Sequence, residues 1–173
     1  MVKGALQSVK DSDIHENLAE VRLDRLVERM TDAARASSAP ITLAVPPISV
    51  MVRPLALRLA LGGLIDNGLR YGGSIEVAAS VEESVATIEI RDRGPGLPKD
   101  SLEEIFEPYV RLEHGREAYR EGSGLGLGIA RRIARDHGGD LRLINREGGG
   151  LVVRLSLPVV DAGASPGQGV AAA

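Results

Sequence analysis

The chain contains no cysteine and no tryptophan, and its 173 residues include only one phenylalanine and three tyrosines. Without cysteine there is neither a disulfide framework nor a thiol nucleophile. A core must be built from aliphatic side chains, because aromatic rings, the usual bulky filler, are nearly absent. The aromatic residues all fall within one stretch of the sequence, at Tyr71, Phe106, Tyr109 and Tyr119. This clustering indicates a functional site in that stretch.

Long hydrophobic runs and dense basic runs are also missing. No segment approaches the roughly 18 consecutive apolar residues of a membrane-spanning helix, and the first residues lack the apolar region of a signal peptide. Lysine and arginine total 21 against 24 aspartates and glutamates, without a basic cluster of the kind that binds nucleic acid. These absences argue against a DNA-binding protein and a membrane span, and they predict a soluble domain suited to a reducing cytoplasm.

The distribution of apolar residues predicts a single folded domain over residues 18–160. Residues 1–17 are polar and are interpreted as a linker or N-terminal extension. Residues 161–173 are rich in Gly, Ala, Ser and Pro, a composition that predicts a disordered tail. The low-propensity stretch from Gly94 to Glu121 is too long for an ordinary connection, and long ordered loops are usually functional.

Hydrophobic periodicity within the domain predicts an α+β fold, with a mixed and mostly antiparallel sheet and about three helices on one face. Helical spacing of apolar residues predicts helices over 24–36, 54–71 and 129–137. Alternating patterns predict strands over 41–45, 48–52, 75–81, 86–91, 140–145 and 150–157. One of the first two segments is alternatively an extended arm, because two prolines separate them.

Asp92 is the most informative polar residue, because strand alternation places it on the inward face with Ile88 and Ile90. An inward carboxylate needs a hydrogen-bond donor. In one interpretation Asp92 only opens the turn Asp92-Arg-Gly-Pro-Gly96. In the other, Gly94 and Gly96 let a planar ligand approach the backbone while Asp92 accepts a hydrogen bond from its amino group.

The predicted helix over 54–71 carries polar residues on one face. Gly63, Asn67 and Tyr71 recur at intervals of four, with Arg70 beside them. The amide oxygen of Asn67 suits Mg²⁺, Arg70 suits a phosphate, and the Tyr71 ring suits a base. A polar cluster at a helix end, without a ligand, is the structural alternative.

The glycine-rich segment Gly122-Ser-Gly-Leu-Gly-Leu-Gly128 leads directly into a predicted helix. Unpaired N–H groups and the positive end of the helix dipole at such a start favour anionic phosphates. The spacing matches neither the dinucleotide fingerprint nor the phosphate-binding loop that ends in Lys-Ser/Thr. Taken alone, the segment is equally consistent with a flexible linker.

Together, in this order and spacing, these elements resemble a GHKL-type ATP-binding domain. More closely, the chain resembles the catalytic and ATP-binding domain of bacterial sensor histidine kinases, in their osmosensor-like branch. The matching segments are Asn67–Tyr71 for the N box, Asp92–Gly96 for the G1 box, Ile105–Tyr109 for the F box and Gly122–Ile129 for the G2 box. The resemblance covers about residues 18–158 and implies the Bergerat α/β sandwich.

The resemblance implies Mg²⁺ and ATP as cofactors. Asn67 would hold Mg²⁺, Asp92 would read the adenine amino group, and Arg70 and Arg111 would face the phosphates, which makes Asn67 and these arginines the catalytic candidates. Residues 107–121 would form a mobile lid. The full set of implied nucleotide-binding residues is Asn67, Arg70, Tyr71, Asp92, Gly94, Gly96, Leu97, Phe106, Tyr109, Arg111, Gly122, Ser123, Gly124, Leu125, Gly126 and Leu127.

Two features depart from the wider superfamily. Gly63 stands four residues before Asn67, where related ATPases commonly carry Asn, His or Glu, so a base that activates water is missing. His15 is followed by Glu16 but not by the proline of the phosphoacceptor motif, and it is interpreted as a linker residue. His137 is expected at a helix C-terminus, where the helix dipole favours it without catalysis.

Three functions therefore stay open. The resemblance favours a kinase that transfers phosphate from ATP to a histidine on a separate dimerisation domain, from which a response regulator takes it. The alternatives are a GHKL ATPase or anti-sigma serine kinase, and a non-catalytic nucleotide-sensing module. The kinase interpretation implies a cytoplasmic fragment, monomeric by itself, of a homodimeric sensor in a bacterial inner membrane, with no nucleic-acid partner.

Overall fold

Two β-sheets and four helices make up the part of the chain that a computed structural model describes, residues 16–36, 38–107 and 126–160. The elements in chain order are β1 Ala19–Arg22, α1 Leu23–Ala36, β2 Ile41–Ala44, β3 Ser49–Val52, α2 Pro54–Gly72, β4 Ile75–Glu82, β5 Val85–Asp92, α3 Ser101–Glu104, α4 Gly126–Asp136, β6 Asp140–Asn145 and β7 Leu151–Pro158. The predicted α+β class is confirmed, and the long helices and the strand pairs lie close to the predicted bounds. The short helix α3 was not predicted.

The larger sheet has the strand order β2-β4-β5-β7-β6, in which only β2 and β4 pair in parallel. Because side chains alternate along a strand, one face of this sheet is aliphatic and buried. Its buried residues are Ile75, Val77, Ala86, Ile88, Ile90, Leu141, Leu143, Val153, Leu155 and Leu157. Helices α2 and α4 contact this sheet, which confirms helices on one face. The opposite face carries charged pairs such as Glu89 with Arg154.

Helix α2 is the central helix of the helical layer. Pro54 occupies its first turn, where the absent N–H costs nothing, and Gly73 ends it in a left-handed conformation with φ of 68°. The Gly73 N–H donates to the Leu69 carbonyl. The helix contacts α1 and α4 as well as strands β4 and β5. This position explains why α2 is apolar on most sides.

A second, two-stranded sheet was not predicted. Strand β1 pairs antiparallel with β3, so that Ala19 lies opposite Val52 and Val21 opposite Val50. Both segments of the 41–52 region are therefore strands, but they belong to different sheets. The sequence did not reveal β1, because four residues carry little periodicity and the pairing joins segments far apart in the chain.

Two side chains fix the N-terminus of α2. The carboxylate of Glu16 accepts hydrogen bonds from the N–H groups of Leu55 and Ala56, which favours the positive end of the helix. His137, after α4, accepts the Arg53 N–H on Nε2 at 3.0 Å, while its Nδ1 lies 2.7 Å from the Ile133 carbonyl. Because Nε2 accepts, Nδ1 is the nitrogen that donates to the Ile133 carbonyl. His137 therefore joins two helices, and it lies directly after α4, at the helix C-terminus where it was expected.

Candidate functional site

Asp92 lies at the end of β5 and is 6% exposed. Its Oδ1 accepts the N–H of Gly94 at 2.8 Å and that of Leu151 at 3.1 Å. The inward orientation predicted from strand alternation is confirmed. The hydrogen bond to Gly94 is also that of a turn-opening aspartate, so both interpretations of Asp92 describe part of the structure. Since both of these bonds use Oδ1, the second oxygen is the one suited to a ligand.

The C-terminal end of α2 packs directly on the turn after Asp92. A Cβ atom at Gly72 would lie 2.5 Å from the Asp92 Cβ, and one at Gly94 would lie 2.8 Å from the Tyr71 carbonyl oxygen. No side chain fits at either position without displacing backbone. The structure therefore brings Tyr71 and Asp92 together. The Tyr71 carbonyl fills the position that a Cβ at Gly94 would take, and the role of Gly94 toward a ligand stays a prediction.

Asn67 belongs to α2, and its side chain lies near the first residue of α4. A Cβ atom at Gly126, the first residue of α4, would lie 3.7 Å from the Asn67 amide nitrogen. The structure thus joins two segments that are far apart in sequence and places a side-chain amide at a helix N-terminus. Arg70 is exposed on the same helix. A Cβ atom at Gly63 would meet nothing within 4 Å among the described residues.

Helix α4 begins at Gly126, three residues before the predicted start. Gly126, Leu127 and Gly128 are therefore in its first turn, not in a loop. A Cβ atom at Gly128 would lie 2.6 Å from the Phe106 carbonyl oxygen, so this close approach requires glycine. Glycine has low helix propensity, which explains why periodicity missed this turn. Tertiary packing against the Phe106 backbone compensates.

Phe106 is buried against α4. Its ring lies 4.2 Å from the Arg131 guanidinium, and that guanidinium also donates to Glu103 at 2.8 Å and to Asp140 at 3.3 Å. Burial lowers the pKa of Arg131, but the bonds to both carboxylates outweigh it and the pKa is raised. Phe106 is 8% exposed, so its ring is a core side chain here. Its implied role toward a nucleotide stays a prediction.

Asn145 and Arg146, at the end of β6, reach the same region and were not singled out from the sequence. The Asn145 side chain bonds both backbone groups of Leu97, and Arg146 donates to the Asp92 carbonyl oxygen at 3.0 Å. The sequence showed only a turn at Arg146–Gly149. Because the partners lie about fifty residues away, no local pattern signals these contacts.

Several predicted site residues lie outside the described residues, namely Tyr109, Arg111, Gly122, Ser123, Gly124 and Leu125, as does His15. For the residues that are described, the donor set fits the implied cofactors. A buried carboxylate at Asp92 suits an amino group, and the oxygen of a half-buried amide at Asn67 suits Mg²⁺, which is usually held by few protein ligands. Among the described residues, no helix combines the length and apolar character needed to cross a bilayer.

Comparison with known proteins identifies the family. The family described as histidine kinase-, DNA gyrase B-, and HSP90-like ATPase matches residues 52–161. The sensor histidine kinase GtrS of Pseudomonas aeruginosa is 42% identical over 158 residues, which cover 91% of this chain and 33% of GtrS. This chain therefore spans about a third of that relative's length.

Solved structures agree with this assignment. The histidine kinase domain of the E. coli osmosensor EnvZ is 31% identical, with a TM-score of 0.66 and coverage of 88% of this chain and 96% of that chain. The ATP binding domain of PrrB from Mycobacterium tuberculosis is 27% identical, with a TM-score of 0.68 and coverage of 84% of this chain and 100% of that chain. The chain therefore belongs to the histidine kinase-, DNA gyrase B-, and HSP90-like ATPase family, as an ATP-binding catalytic domain of the sensor histidine kinase type.

Proposed function

We propose that this domain binds Mg·ATP and donates the γ-phosphoryl group to a histidine on a dimerisation domain of the same kinase. The observation that carries the proposal is the convergence of Asp92, the end of α2 and the first turn of α4. A buried acceptor for a base and a helix N-terminus for phosphates lie at opposite ends of the same helical segment, Asn67–Tyr71. A nucleoside triphosphate has the matching order of groups.

The end of the site at Asp92 is called the base end. It selects adenine through the Asp92 carboxylate. Oδ1 is held by the backbone of Gly94 and Leu151, so Oδ2 accepts the exocyclic amino group. A charged acceptor in a buried site discriminates strongly, because a ligand without a donor leaves it unpaired. Guanine presents an oxygen at that position. ATP is therefore preferred over GTP.

The phosphate end uses Asn67 and the start of α4. The N–H groups of the first helical turn have no partners within the helix and attract anions. Asn67 would supply an amide oxygen to the metal, and Arg70, together with Arg111 outside the described residues, would compensate phosphate charge. Mg²⁺, when bound, neutralises phosphate charge during transfer. Catalysis then consists mainly of positioning and charge compensation.

The transfer step needs a nucleophile from outside the described residues. A ring nitrogen of the acceptor histidine forms a bond to the γ-phosphorus, the bond from this phosphorus to the bridging oxygen breaks, and ADP leaves with that oxygen. The histidine's ring proton is released to solvent. Gly63 offers no carboxylate to activate water, so hydrolysis is slow. The same absence disfavours the GHKL ATPase and anti-sigma serine kinase alternatives.

The proposal for the wider setting is supported by the similarity to sensor histidine kinases. A response regulator would take the phosphoryl group, and the parent would be a homodimeric sensor of the bacterial inner membrane with this domain on the cytoplasmic side. A non-catalytic nucleotide sensor is the remaining alternative. It would bind ATP at the same residues without transferring phosphate.

The test has two stages. Calorimetry measures the affinity of the chain for ATP and for GTP in the presence of Mg²⁺. The chain is then incubated with radiolabelled ATP, alone and with the dimerisation domain of the same kinase. We expect no label on the chain alone and acid-labile, base-stable label on the partner. Acid-stable label on the partner, or label on His15, contradicts the proposal, and ATP binding without transfer supports the sensor.

A further inference from the structure

The last residue of β6 and the turn that follows it hold the loop after Asp92 at two points. The Asn145 Oδ1 accepts the Leu97 N–H at 2.8 Å, and the Asn145 Nδ2 donates to the Leu97 carbonyl at 2.6 Å. Arg146 donates to the Asp92 carbonyl at 3.0 Å. The loop is thus held at both ends. One point is Asp92, which directly precedes it, and the other is Leu97, which follows its last glycine.

Close packing shows that this contact is tight. Gly96 has φ of +70°, and a Cβ atom there would lie 2.8 Å from the Asn145 Oδ1. Gly150 has φ of +108°, and a Cβ atom there would lie 2.2 Å from the Asp92 carbonyl oxygen. Both positions require glycine for conformation and for space. The loop and the turn therefore fit against each other without room for a side chain.

The Asn145 side chain replaces a missing strand partner. Residues 93–98 belong to no helix or strand, so their backbone groups have no ladder to pair with. An amide side chain carries one acceptor and two donors, and it can pair with both groups of one residue. Asn145 does so for Leu97 while its own backbone remains in β6, paired opposite Leu151. Asn145 therefore connects the loop to the hydrogen-bonded sheet.

We infer that Asn145 is a positioning residue for base recognition, assisted by Arg146. It does not touch the ligand. It holds Gly94–Leu97 and the Asp92 backbone in the conformation that receives the base, before the nucleotide arrives. Ordering a loop in advance improves affinity, because binding no longer has to order it. This inference rests on the proposed function, in which Asp92 accepts the adenine amino group.

The test compares ATP with inorganic triphosphate, which has no base. In Asn145→Ala, the loss of two hydrogen bonds should raise the dissociation constant for ATP roughly tenfold. Affinity for inorganic triphosphate should stay within about twofold of the wild-type value, because the phosphate end is built elsewhere. Hydrogen exchange at the Leu97 amide should become faster in the variant, which reports the released loop directly.

Ser156→Ala is the matched control. The Ser156 hydroxyl accepts the Asp140 N–H at 3.0 Å and bonds to the Asp140 carbonyl at 3.2 Å, so it also pairs with both groups of one residue. It lies on the same hairpin, at the end remote from the loop. Ser156→Ala should lower the melting temperature about as much as Asn145→Ala does, and it should leave the affinity for ATP unchanged.

The outcomes separate the inference from the proposed function. A wild-type chain that does not bind ATP overturns both. If the wild type binds ATP and Asn145→Ala binds it equally well, or if Ser156→Ala weakens ATP binding as much, only the inference is overturned. Equal weakening toward ATP and triphosphate would show a merely structural role. If Asn145→Ala does not fold, Arg146→Ala is measured in the same way, with a smaller loss expected.

Discussion

The two ends of the site are held in different ways. At the base end, Asp92 is fixed by backbone groups of its own turn and of β7, and the turn packs against Gly72 without space for a side chain. At the phosphate end, a Cβ atom at Gly126 would meet the Asn67 side chain only at an ordinary contact distance. The comparison teaches that the turn proposed to receive the base is packed without room for a side chain, whereas the contact between Gly126 and Asn67 leaves room for one among the described residues.

The largest effect is expected at the base end, in Asp92→Asn. The amide oxygen can take over the Oδ1 bonds to Gly94 and Leu151, which forces the NH₂ group toward the adenine amino group. Losing a hydrogen bond to a charged group should weaken ATP binding roughly ten- to a hundredfold. Calorimetry measures this loss. Equal affinities for ATP and GTP in the wild type would contradict the assignment of Asp92.

A pair of glycine substitutions tests the comparison directly. In Gly94→Ala the new Cβ would lie 2.8 Å from the Tyr71 carbonyl oxygen, so backbone must shift. Overpacking of this kind should destabilise the domain by about 1–3 kcal/mol. In Gly126→Ala the nearest atom of the described residues would lie 3.7 Å away, and stability should hold or improve. Denaturant unfolding of both variants measures the difference, and equal losses would refute the contrast between the two ends.

Asn67→Ala should have a smaller and more specific effect. Its proposed partner is the metal, so binding of Mg·ATP should weaken more than binding of metal-free ADP. Thermal stability should change little, because Asn67 is only half-buried. Titrations with and without Mg²⁺ provide the measurement. An unfolded variant, or one whose residual binding does not depend on the metal, would instead support a structural role for Asn67.

The smallest effect concerns stability in acid. It is expected at Glu89, on the charged face of the larger sheet and away from both ends of the site. Burial raises the pKa of Glu89, but hydrogen bonds from Arg91 and Arg154 outweigh it and the pKa is lowered. A lowered folded-state pKa contributes stability above the unfolded value of about 4.3. That contribution is lost as the pH falls through the lower folded value.

Glu89→Gln should therefore reduce stability at neutral pH and flatten its decrease below about pH 5. Unfolding free energies measured from neutral to acidic pH test this expectation. The affinity for ATP at neutral pH should remain that of the wild type, which separates stability from binding. A variant with the same acid dependence as the wild type would show that other carboxylates, such as Asp140, dominate.

Local sequence determined most of the helices and strands and the order in which the site residues follow each other along the chain. Periodicity predicted α1 and the hairpins because an amphipathic pattern reports burial within one element. The inward position of Asp92 followed from alternation alone, and the four matching boxes carried the resemblance to the family. Each of these signals lies within a few neighbouring residues.

Tertiary structure decided what depends on distant partners. Strand β1 exists because β3 pairs with it, and the first turn of α4 is helical because Gly128 packs on the Phe106 backbone. Asn145 acquires its place from Leu97, 48 residues away in the chain. A residue type and its neighbours carry no record of such contacts, because the contact free energy arises only when the folded chain brings both partners together.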